Sequence, residues 1–306
     1  MADAKKPKLV TDEFAEYVFV PNHFKVTPEM KKSFDADGAV VVRKLLSQEE
    51  VNKIIKSLEN NESVIGRAWA LSDGTGSSSK LVIWNNPGHD VTGMVARVRK
   101  VAKTCEDLMD GEVYHYHTKL MMKEARTGGQ HLWHQDYGYW YKNGCLRPDL
   151  ITVFIALDRC VKENGCLQVV KGTHRCGRID HKLIHGQTQA DPERVEQILK
   201  HFKLRYAELE PGDALFFHSN LLHRSDKNES DMRRWSFLCA YNRADNDPVY
   251  EHHHAQYTPL HMVPDTAIME CTNLTDLSGK DFMDPKKDKT VRVNQDEEEQ
   301  TRVNYR

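Results

Sequence analysis

The sequence lacks the features of a membrane-spanning or exported chain. No apolar run reaches the roughly 18 residues that a membrane helix needs. The N-terminal stretch MADAKKPKLVTDEF contains no apolar segment of the kind that a secretory signal requires. The C-terminal sequence RVNYR does not end in the SKL tripeptide that directs proteins to peroxisomes. We therefore expect a cytoplasmic chain with no membrane partner.

The chain also lacks paired cysteines and an excess of charge of either sign. Its seven cysteines are irregularly spaced and include no C-x-x-C pair, which in a chain without an export signal indicates reduced thiols. The formal net charge is −2 over 306 residues. Because domains that bind nucleic acid non-specifically are usually basic, we expect no nucleic-acid partner. The length suits one large or two small domains.

The part of the chain that precedes residue 111 has the patterns of helices. Thr27 is a helix cap, and Pro28 follows it at the first helical position. Ser47 and Glu50 have the spacing of a capping box. Apolar residues at helical spacing predict another helix over residues 89–110. Ahead of these elements, a polar arm is predicted for residues 1–25.

From residue 111 onward the patterns change to those of strands. Glycine, proline and asparagine turns separate six apolar segments, at 112–125, 150–160, 166–170, 205–210, 213–220 and 233–242. Serial strands of this kind predict a barrel or jelly roll, so the expected fold class is mainly β with flanking helices. We place a single domain at 26–271, with a helical part at 26–110 and a β core at 111–245. Residues 272–306 are predicted to form a mobile polar tail.

Three residues have the types and the order of a metal site. His134 and Asp136 lie in the stretch LWHQDYGYW, and His223 follows 89 residues after His134. On an extended strand, residues i and i+2 point to the same side, so His134 and Asp136 can face one ion. Two histidines and a carboxylate form the facial triad of non-haem Fe(II) oxygenases. Taken alone, H-x-D is a weak signal among sixteen histidines, and the alternative is a hydrogen-bonded histidine beside a solvated aspartate.

Polar residues downstream of His223 strengthen the metal hypothesis. Arg234 follows His223 by eleven residues and could make a fork-like contact to a carboxylate. Ser225 offers a hydroxyl group to the same carboxylate. The alternative for such an arginine is an ordinary surface charge, and either Arg233 or Arg234 could fill the role, with the spacing favouring Arg234.

The ordered motifs WHQD, NGCLQVVKGTHR, PGDALFFHSNLLHRS and RRWSF closely resemble those of one enzyme family. This is the phytanoyl-CoA dioxygenase (PhyH) family of Fe(II)- and 2-oxoglutarate-dependent oxygenases, which includes ectoine hydroxylase and amino-acid hydroxylases. The resemblance extends over about residues 30–260. It implies a double-stranded β-helix, a cupin-like jelly roll, in agreement with the serial strands. The usual N-G-P-L and P-G-S-H segments have lost their prolines here, but their glycine turns remain.

The resemblance implies roles for particular residues. It assigns Fe(II) to His134, Asp136 and His223, and the far carboxylate of 2-oxoglutarate to Arg234 and Ser225. Weaker matches on the strand before the metal motif indicate three further contacts to the cosubstrate, from Lys119, His117 and Met121. An aromatic run after the ligands indicates three substrate contacts, from Trp140, Tyr137 and Tyr139. For these six residues, the alternative is ordinary packing inside the barrel.

The implied reaction hydroxylates an unactivated carbon while 2-oxoglutarate and O₂ give succinate and CO₂, with ascorbate as a candidate reductant. Asp136 favours hydroxylation over halogenation, because related halogenases have a small residue at that position. No catalytic residue beyond the metal ligands is predicted. Aromatic rings can surround a cationic or zwitterionic molecule, so we expect a small amino-acid-like or alkaloid-like substrate.

Three alternative functions stay open at this point. An acyl-CoA 2-hydroxylase, which is the founding activity of the family, needs basic residues for the CoA phosphates, and no such cluster can be assigned. A non-catalytic relative that binds metal or 2-oxoglutarate would commonly lose one of the ligands. A zinc hydrolase or isomerase could use the same ligand set. The sequence does not indicate an oligomeric state.

Overall fold

Two β-sheets face each other, and helices cover the outer side of the larger sheet. This computed structural model describes residues 13–184 and 187–285. Within those ranges the larger sheet has nine strands, numbered along the chain: Glu16–Val18 (β1), Ala39–Arg43 (β2), Trp69–Ser72 (β3), Ser78–Asn85 (β4), Val113–Lys123 (β5), Leu150–Ala156 (β7), Ala214–His218 (β12), Arg234–Arg243 (β14) and Asp281–Phe282 (β15). Their order is β1-β2-β12-β7-β14-β5-β4-β15, and β3 pairs with β4.

The smaller sheet carries the predicted metal motif. Its strands, in the order β11-β8-β13-β6, are His131–His134 (β6), Leu167–Val170 (β8), Leu204–Ala207 (β11) and His223–Ser225 (β13). A separate two-stranded ribbon consists of His181–Ile184 (β9) and Gln187–Ala190 (β10). The two facing sheets form the predicted jelly-roll class of fold.

Helices in the described residues occupy the positions Pro28–Asp37 (α1), Gln48–Glu59 (α2), Glu62–Ile65 (α3), Val91–Val95 (α4), Arg99–Met109 (α5), Asp136–Trp140 (α6), Pro192–His201 (α7) and Ala267–Glu270 (α8). The predicted caps are present: Thr27 accepts a hydrogen bond from the backbone of Met30, and Ser47 forms the capping box with Glu50. In the described residues, no helix is both long and apolar enough to cross a membrane.

Side chains on strand β2 show that the larger sheet is buried on both faces. Val40 and Val42 pack into the core between this sheet and the helices. Ala39 and Val41 point to the opposite face and join the core between the two sheets. All four are almost fully buried, so the alternation of strand side chains produces a continuous apolar run where both faces are covered.

One predicted helix is interrupted in the structure. Instead of a single helix over residues 89–110, α4 ends at Val95 and α5 begins at Arg99. Val98 between them is extended, and it bridges to Val263 in a later part of the chain. The Arg99 amide also donates a hydrogen bond to the carbonyl of Val263. This long-range backbone pairing replaces helical hydrogen bonds at the break.

Both ends of the described chain join the larger sheet. In the predicted N-terminal arm, β1 pairs in parallel with β2, while residues 1–12 lie outside the described residues. In the predicted mobile tail, β15 pairs antiparallel with β4. Residues 272–285 therefore differ from the expected free tail, and residues 286–306 lie outside the described residues. The predicted domain limits stay predictions.

A buried ion pair fixes the C-terminal segment. The side chains of Lys280 and Asp90 are 0% and 1% exposed, and Lys280 Nζ lies 2.8 Å from Asp90 Oδ1. Lys280 also lies over the ring of Trp84, with Nζ 4.9 Å from its centroid. Burial lowers the pKa of Lys280, and the charge of Asp90 opposes that effect.

We predict that Asp90→Asn destabilises the fold by about 3–5 kcal/mol, because it leaves the buried Lys280 charge without its anionic partner. Urea-induced unfolding would measure this loss. Combining Asp90→Asn with Lys280→Met removes both charges and should recover part of the stability. As a matched control, Asp107→Asn breaks the exposed pair with Lys103 and should cost under about 1 kcal/mol. Equal effects of the two single changes would contradict the prediction.

Candidate metal centre

Two neighbouring strands and a helix start bring the predicted metal ligands together. His134 is the last residue of β6, and His223 is the first residue of β13. The two strands are antiparallel, and these two histidines are directly opposite each other. Asp136 begins α6 after the extended residue Gln135. The predicted i and i+2 arrangement of His134 and Asp136 therefore holds across the strand end.

The three side chains have the spacing of ligands to one ion. Their donor atoms all lie within 4.8 Å of one another. Asp136 Oδ1 is 3.8 Å from His134 Nε2 and 3.7 Å from His223 Nε2. Both of these distances are below about 4.2 Å, the largest separation that two donor atoms can have on one ion when each ligand bond is about 2.1 Å. Two imidazoles and one carboxylate are the donor set that suits Fe(II) with open positions.

Hydrogen bonds orient each imidazole towards the ion position. His134 Nδ1 lies 2.7 Å from the carbonyl oxygen of Leu132, and His223 Nδ1 lies 2.8 Å from that of Leu221. A carbonyl oxygen accepts, so each Nδ1 carries the proton and each Nε2 presents its lone pair to the metal. Burial lowers the pKa of both histidines. Both are consequently neutral at neutral pH and ready to ligate.

The aspartate is also held in place. Thr152, on β7, donates a hydrogen bond of 2.7 Å from its hydroxyl to Asp136 Oδ2. Oδ1 is the carboxylate oxygen near both histidines. Thr152 therefore leaves one oxygen of Asp136 for the metal, and sequence reasoning missed it because its partner is sixteen residues away along the chain.

We predict that Thr152→Val weakens Fe(II) binding by about 10- to 100-fold, the usual cost of losing a partner that orients a metal ligand. Competition with a coloured Fe(II) chelator under anaerobic conditions would measure this change. Thr152→Ser keeps the hydroxyl group and serves as the control. If the valine variant binds Fe(II) as tightly as the serine variant, Thr152 does not position Asp136.

A second group of polar residues lies further along the same two sheets. Arg234, the first residue of β14, is 1% exposed, and its Nε and Nη1 atoms have no hydrogen-bond partner in the described residues. Lys123 on β5 is directly opposite Arg234 and is also 1% exposed. Ser225 Oγ accepts a hydrogen bond of 3.0 Å from Lys123 Nζ. Ser236 Oγ is buried, and no described residue forms a hydrogen bond with it.

These residues fit an anion that is supplied from outside the chain. Neither Arg234 nor Lys123 forms an ion pair with a carboxylate of the described residues. Burial lowers the pKa of Lys123, and the charge of Arg234 lowers it further. Two adjacent buried cations are costly unless they are paired, and the unpaired donors of Arg234 can bind a carboxylate in a bidentate manner. The far carboxylate of 2-oxoglutarate has the charge and shape for this position.

A cavity of about 420 Å³ opens beside the metal ligands. It is lined by five of the six residues predicted on the weaker matches, namely His117, Lys119, Met121, Tyr139 and Trp140. Tyr137, in contrast, is not brought to the cavity. Its hydroxyl group donates a 3.0 Å hydrogen bond to the carbonyl of Cys145, and its ring packs in an aromatic cluster that also contains Trp140.

The reason is the start of α6 within the aromatic run. On a helix, residues i, i+3 and i+4 share one face, and Asp136, Tyr139 and Trp140 have that spacing. Tyr137 lacks this spacing, and it does not line the cavity. His131, His253 and His254 also line the cavity, although no special role was predicted for them. They are joined there by residues far away along the chain, such as Trp69 and Met283.

A facial triad inside a double-stranded β-helix, with a buried anion site beside it, defines the Fe(II)- and 2-oxoglutarate-dependent dioxygenases. Comparison with known proteins specifies the family. The sequence model of the phytanoyl-CoA dioxygenase (PhyH) family matches residues 34–236. The chain belongs to this family, and its class is that of the 2-oxoglutarate-dependent dioxygenases.

Known relatives agree with this assignment. L-proline trans-4-hydroxylase of Streptomyces griseoviridis is 26% identical over 238 residues, which cover 72% of this chain and 88% of that protein. Ectoine dioxygenase of Stutzerimonas stutzeri is 23% identical, with 72% and 78% covered. The crystal structure of EctD from S. alaskensis with bound Fe is similar in fold, with a TM-score of 0.67, 20% identity and coverage of 81% and 90%. The predicted family, fold class, reaction class and cofactors are confirmed.

Proposed function

We propose that this protein hydroxylates an unactivated carbon of a small amino-acid-like substrate, using Fe(II), 2-oxoglutarate and O₂. The observation that carries the proposal is the buried guanidinium group of Arg234, whose Nε and Nη1 atoms have no hydrogen-bond partner among the described residues. Arg234 begins β14 of the larger sheet, which faces the smaller sheet that carries the two histidines of the triad. A protein that used only the metal would have no need to bury this charge. The proposal therefore includes 2-oxoglutarate as the second ligand of the site.

Different residues of the chain would bind the metal, the cosubstrate and the substrate. His134, Asp136 and His223 would hold Fe(II), which activates O₂ when 2-oxoglutarate is bound to it. Arg234 and Lys123 would bind the far carboxylate of 2-oxoglutarate, with Ser225 holding the ammonium group of Lys123. Tyr139 and Trp140 extend from the helix that begins at Asp136, so they would orient the substrate beside the metal.

The cavity supports a small substrate. Its volume is about 420 Å³, and the relatives with 26% and 23% identity are named for the hydroxylation of L-proline and of ectoine. An acyl-CoA substrate is less well supported, because Lys119 is the only lysine or arginine among the described residues that line the cavity. CoA phosphates would require several such cations.

Anaerobic titration with Fe(II) and then 2-oxoglutarate tests the cofactor part of the proposal. We expect the weak visible charge-transfer band of the Fe(II)·2-oxoglutarate chelate. Succinate release, measured with amino acids as the first candidates, then tests the reaction. Folded protein that gives no band contradicts the proposal, and stoichiometric zinc in such protein would favour the zinc hydrolase or isomerase. A band without succinate release for any small molecule or acyl-CoA would favour the non-catalytic relative.

Other expectations stay predictions. Within the described part of the chain, all seven cysteines are free thiols and five are buried, which supports the proposed cytoplasmic location. The expected absence of a nucleic-acid partner rests on the nearly balanced charge.

A further inference from the structure

Two lysines on strand β5, Lys119 and Lys123, lie at different distances from the cosubstrate site. Lys123 is opposite Arg234 on β14, whereas Lys119 is opposite Leu238. Four residues of strand separate these two positions, a distance of about 13 Å. Lys119 therefore does not share the carboxylate that Arg234 and Lys123 bind. It lies closer to the metal ligands, where it lines the cavity together with Asp136.

Lys119 has no partner of its own in the described residues. Its ammonium group forms no hydrogen bond and no ion pair with any of them, and burial lowers its pKa while the charge of Asp136 has the opposite effect. Asp136 is itself committed to a doubly charged metal ion. Once 2-oxoglutarate occupies Arg234 and Lys123, Lys119 remains as a cation on the cavity wall with no anion assigned to it.

Two imidazoles lie next to this lysine on the cavity wall. The rings of His117 and His254 are stacked, with centroids 4.6 Å apart and an interplanar angle of 22°. Each has a buried Nδ1 atom that no described residue satisfies, and both side chains line the cavity. Burial lowers the pKa of both, and the nearby charge of Lys119 contributes in the same direction. Neutral imidazoles can still donate an N–H group to an anion.

We propose that Lys119, His117 and His254 form an anion subsite that binds a carboxylate group of the substrate. The inference rests on the proposed function and adds the chemical class of the substrate. One fixed positive charge with neutral donors matches a single negative charge, whereas a phosphate monoester would bring a charge nearer −2. Apolar side chains form other parts of the cavity wall, including Trp69, Leu71, Ile83, Leu238 and Met283. The substrate class is thus a compact, largely saturated carboxylic acid.

Paired probes that differ only in the carboxylate test this proposal. The anaerobic Fe(II)·2-oxoglutarate complex would be titrated with L-proline, L-pipecolic acid, L-valine and L-leucine, each beside its own carboxamide. The readouts are the shift of the visible band and the tryptophan fluorescence. We expect at least one acid to bind about tenfold or more tightly than its amide, because a hydrogen bond to a charged group is worth roughly 1.5–3 kcal/mol.

Variants separate a substrate role from a cosubstrate role. Lys119→Met should abolish the preference for the acid and leave the 2-oxoglutarate concentration for half-maximal band formation unchanged. Lys119→Arg should keep the preference, and His254→Leu should reduce it. The control is Lys80→Met on the neighbouring strand β4, where the lysine is exposed; it should bind like the wild type.

Two results would overturn the proposal. One is the absence of any acid that binds better than its amide. The other is a Lys119→Met variant that needs far more 2-oxoglutarate to form the band, since Lys119 would then contact the cosubstrate. Neither result affects the cofactor part of the proposed function, which would fail separately if the wild-type protein gave no band at all.

Discussion

The His134→Ala variant is expected to lose Fe(II) binding and all measurable succinate release. Removing a residue that merely orients a ligand costs about 10- to 100-fold in metal affinity, so removing a ligand should cost more than about 100-fold. The visible band with 2-oxoglutarate should be absent at Fe(II) concentrations that saturate the wild type. Anaerobic titration and metal analysis of the purified variant would measure both effects.

The control for this change is a substitution at a neighbouring histidine, His131. His131 stacks on His134 with ring centroids 4.3 Å apart, but it does not belong to the triad. His131→Asn should therefore keep its iron and its band. A His134→Ala protein that still forms the band would show that the ion is held by other residues, and the assignment of the triad would be wrong.

The Arg234→Met variant is expected to need about 100-fold or more 2-oxoglutarate for half-maximal band formation, while its Fe(II) affinity stays the same. The expected loss corresponds to roughly 3–5 kcal/mol for breaking a buried charge pair. The Arg234→Lys variant should need a 2-oxoglutarate concentration between those of the wild type and of Arg234→Met, because lysine keeps the charge but lacks the planar fork.

The stability of the same variant provides an independent check. In the absence of 2-oxoglutarate, Arg234 is a buried cation with no carboxylate partner in the described part of the chain, so methionine should leave the free energy of unfolding unchanged or raise it. Arg233→Met is the matched control on the adjacent residue, whose guanidinium group bonds to Asp158 and Glu59 instead. If Arg233→Met weakens 2-oxoglutarate binding and Arg234→Met does not, the roles of the two arginines are reversed.

The metal ligands could be predicted because their geometry is encoded locally. His134 and Asp136 need only one extended residue between them, and Gln135 is extended in the structure. His223 was placed by its motif order, and strand pairing brings it opposite His134. Caps such as Ser47 with Glu50 were predictable for the same reason, since a capping box spans only a few residues.

The remaining parts of the site depend on contacts between distant residues. Lys123 was missed because its importance comes from lying opposite Arg234, 111 residues later. Tyr137 was expected at the substrate because it belongs to the aromatic run after the ligands, but the helix that begins at Asp136 turns its side chain away from the cavity. His254 was missed because it is joined to His117 only by the folding of the chain after β14.

The segment after β14 has a consequence for the evolution and engineering of this enzyme. The family match ends at residue 236, yet His253, His254, Met283 and Pro285 all line the cavity. Residues 280–282 are held in place by the Lys280–Asp90 ion pair and by the pairing of β15 with β4. The metal ligands thus all lie within the family match, whereas part of the cavity wall is encoded after it. Mutational libraries confined to residues 250–285 should shift the range of accepted substrates while the oxidising machinery stays intact.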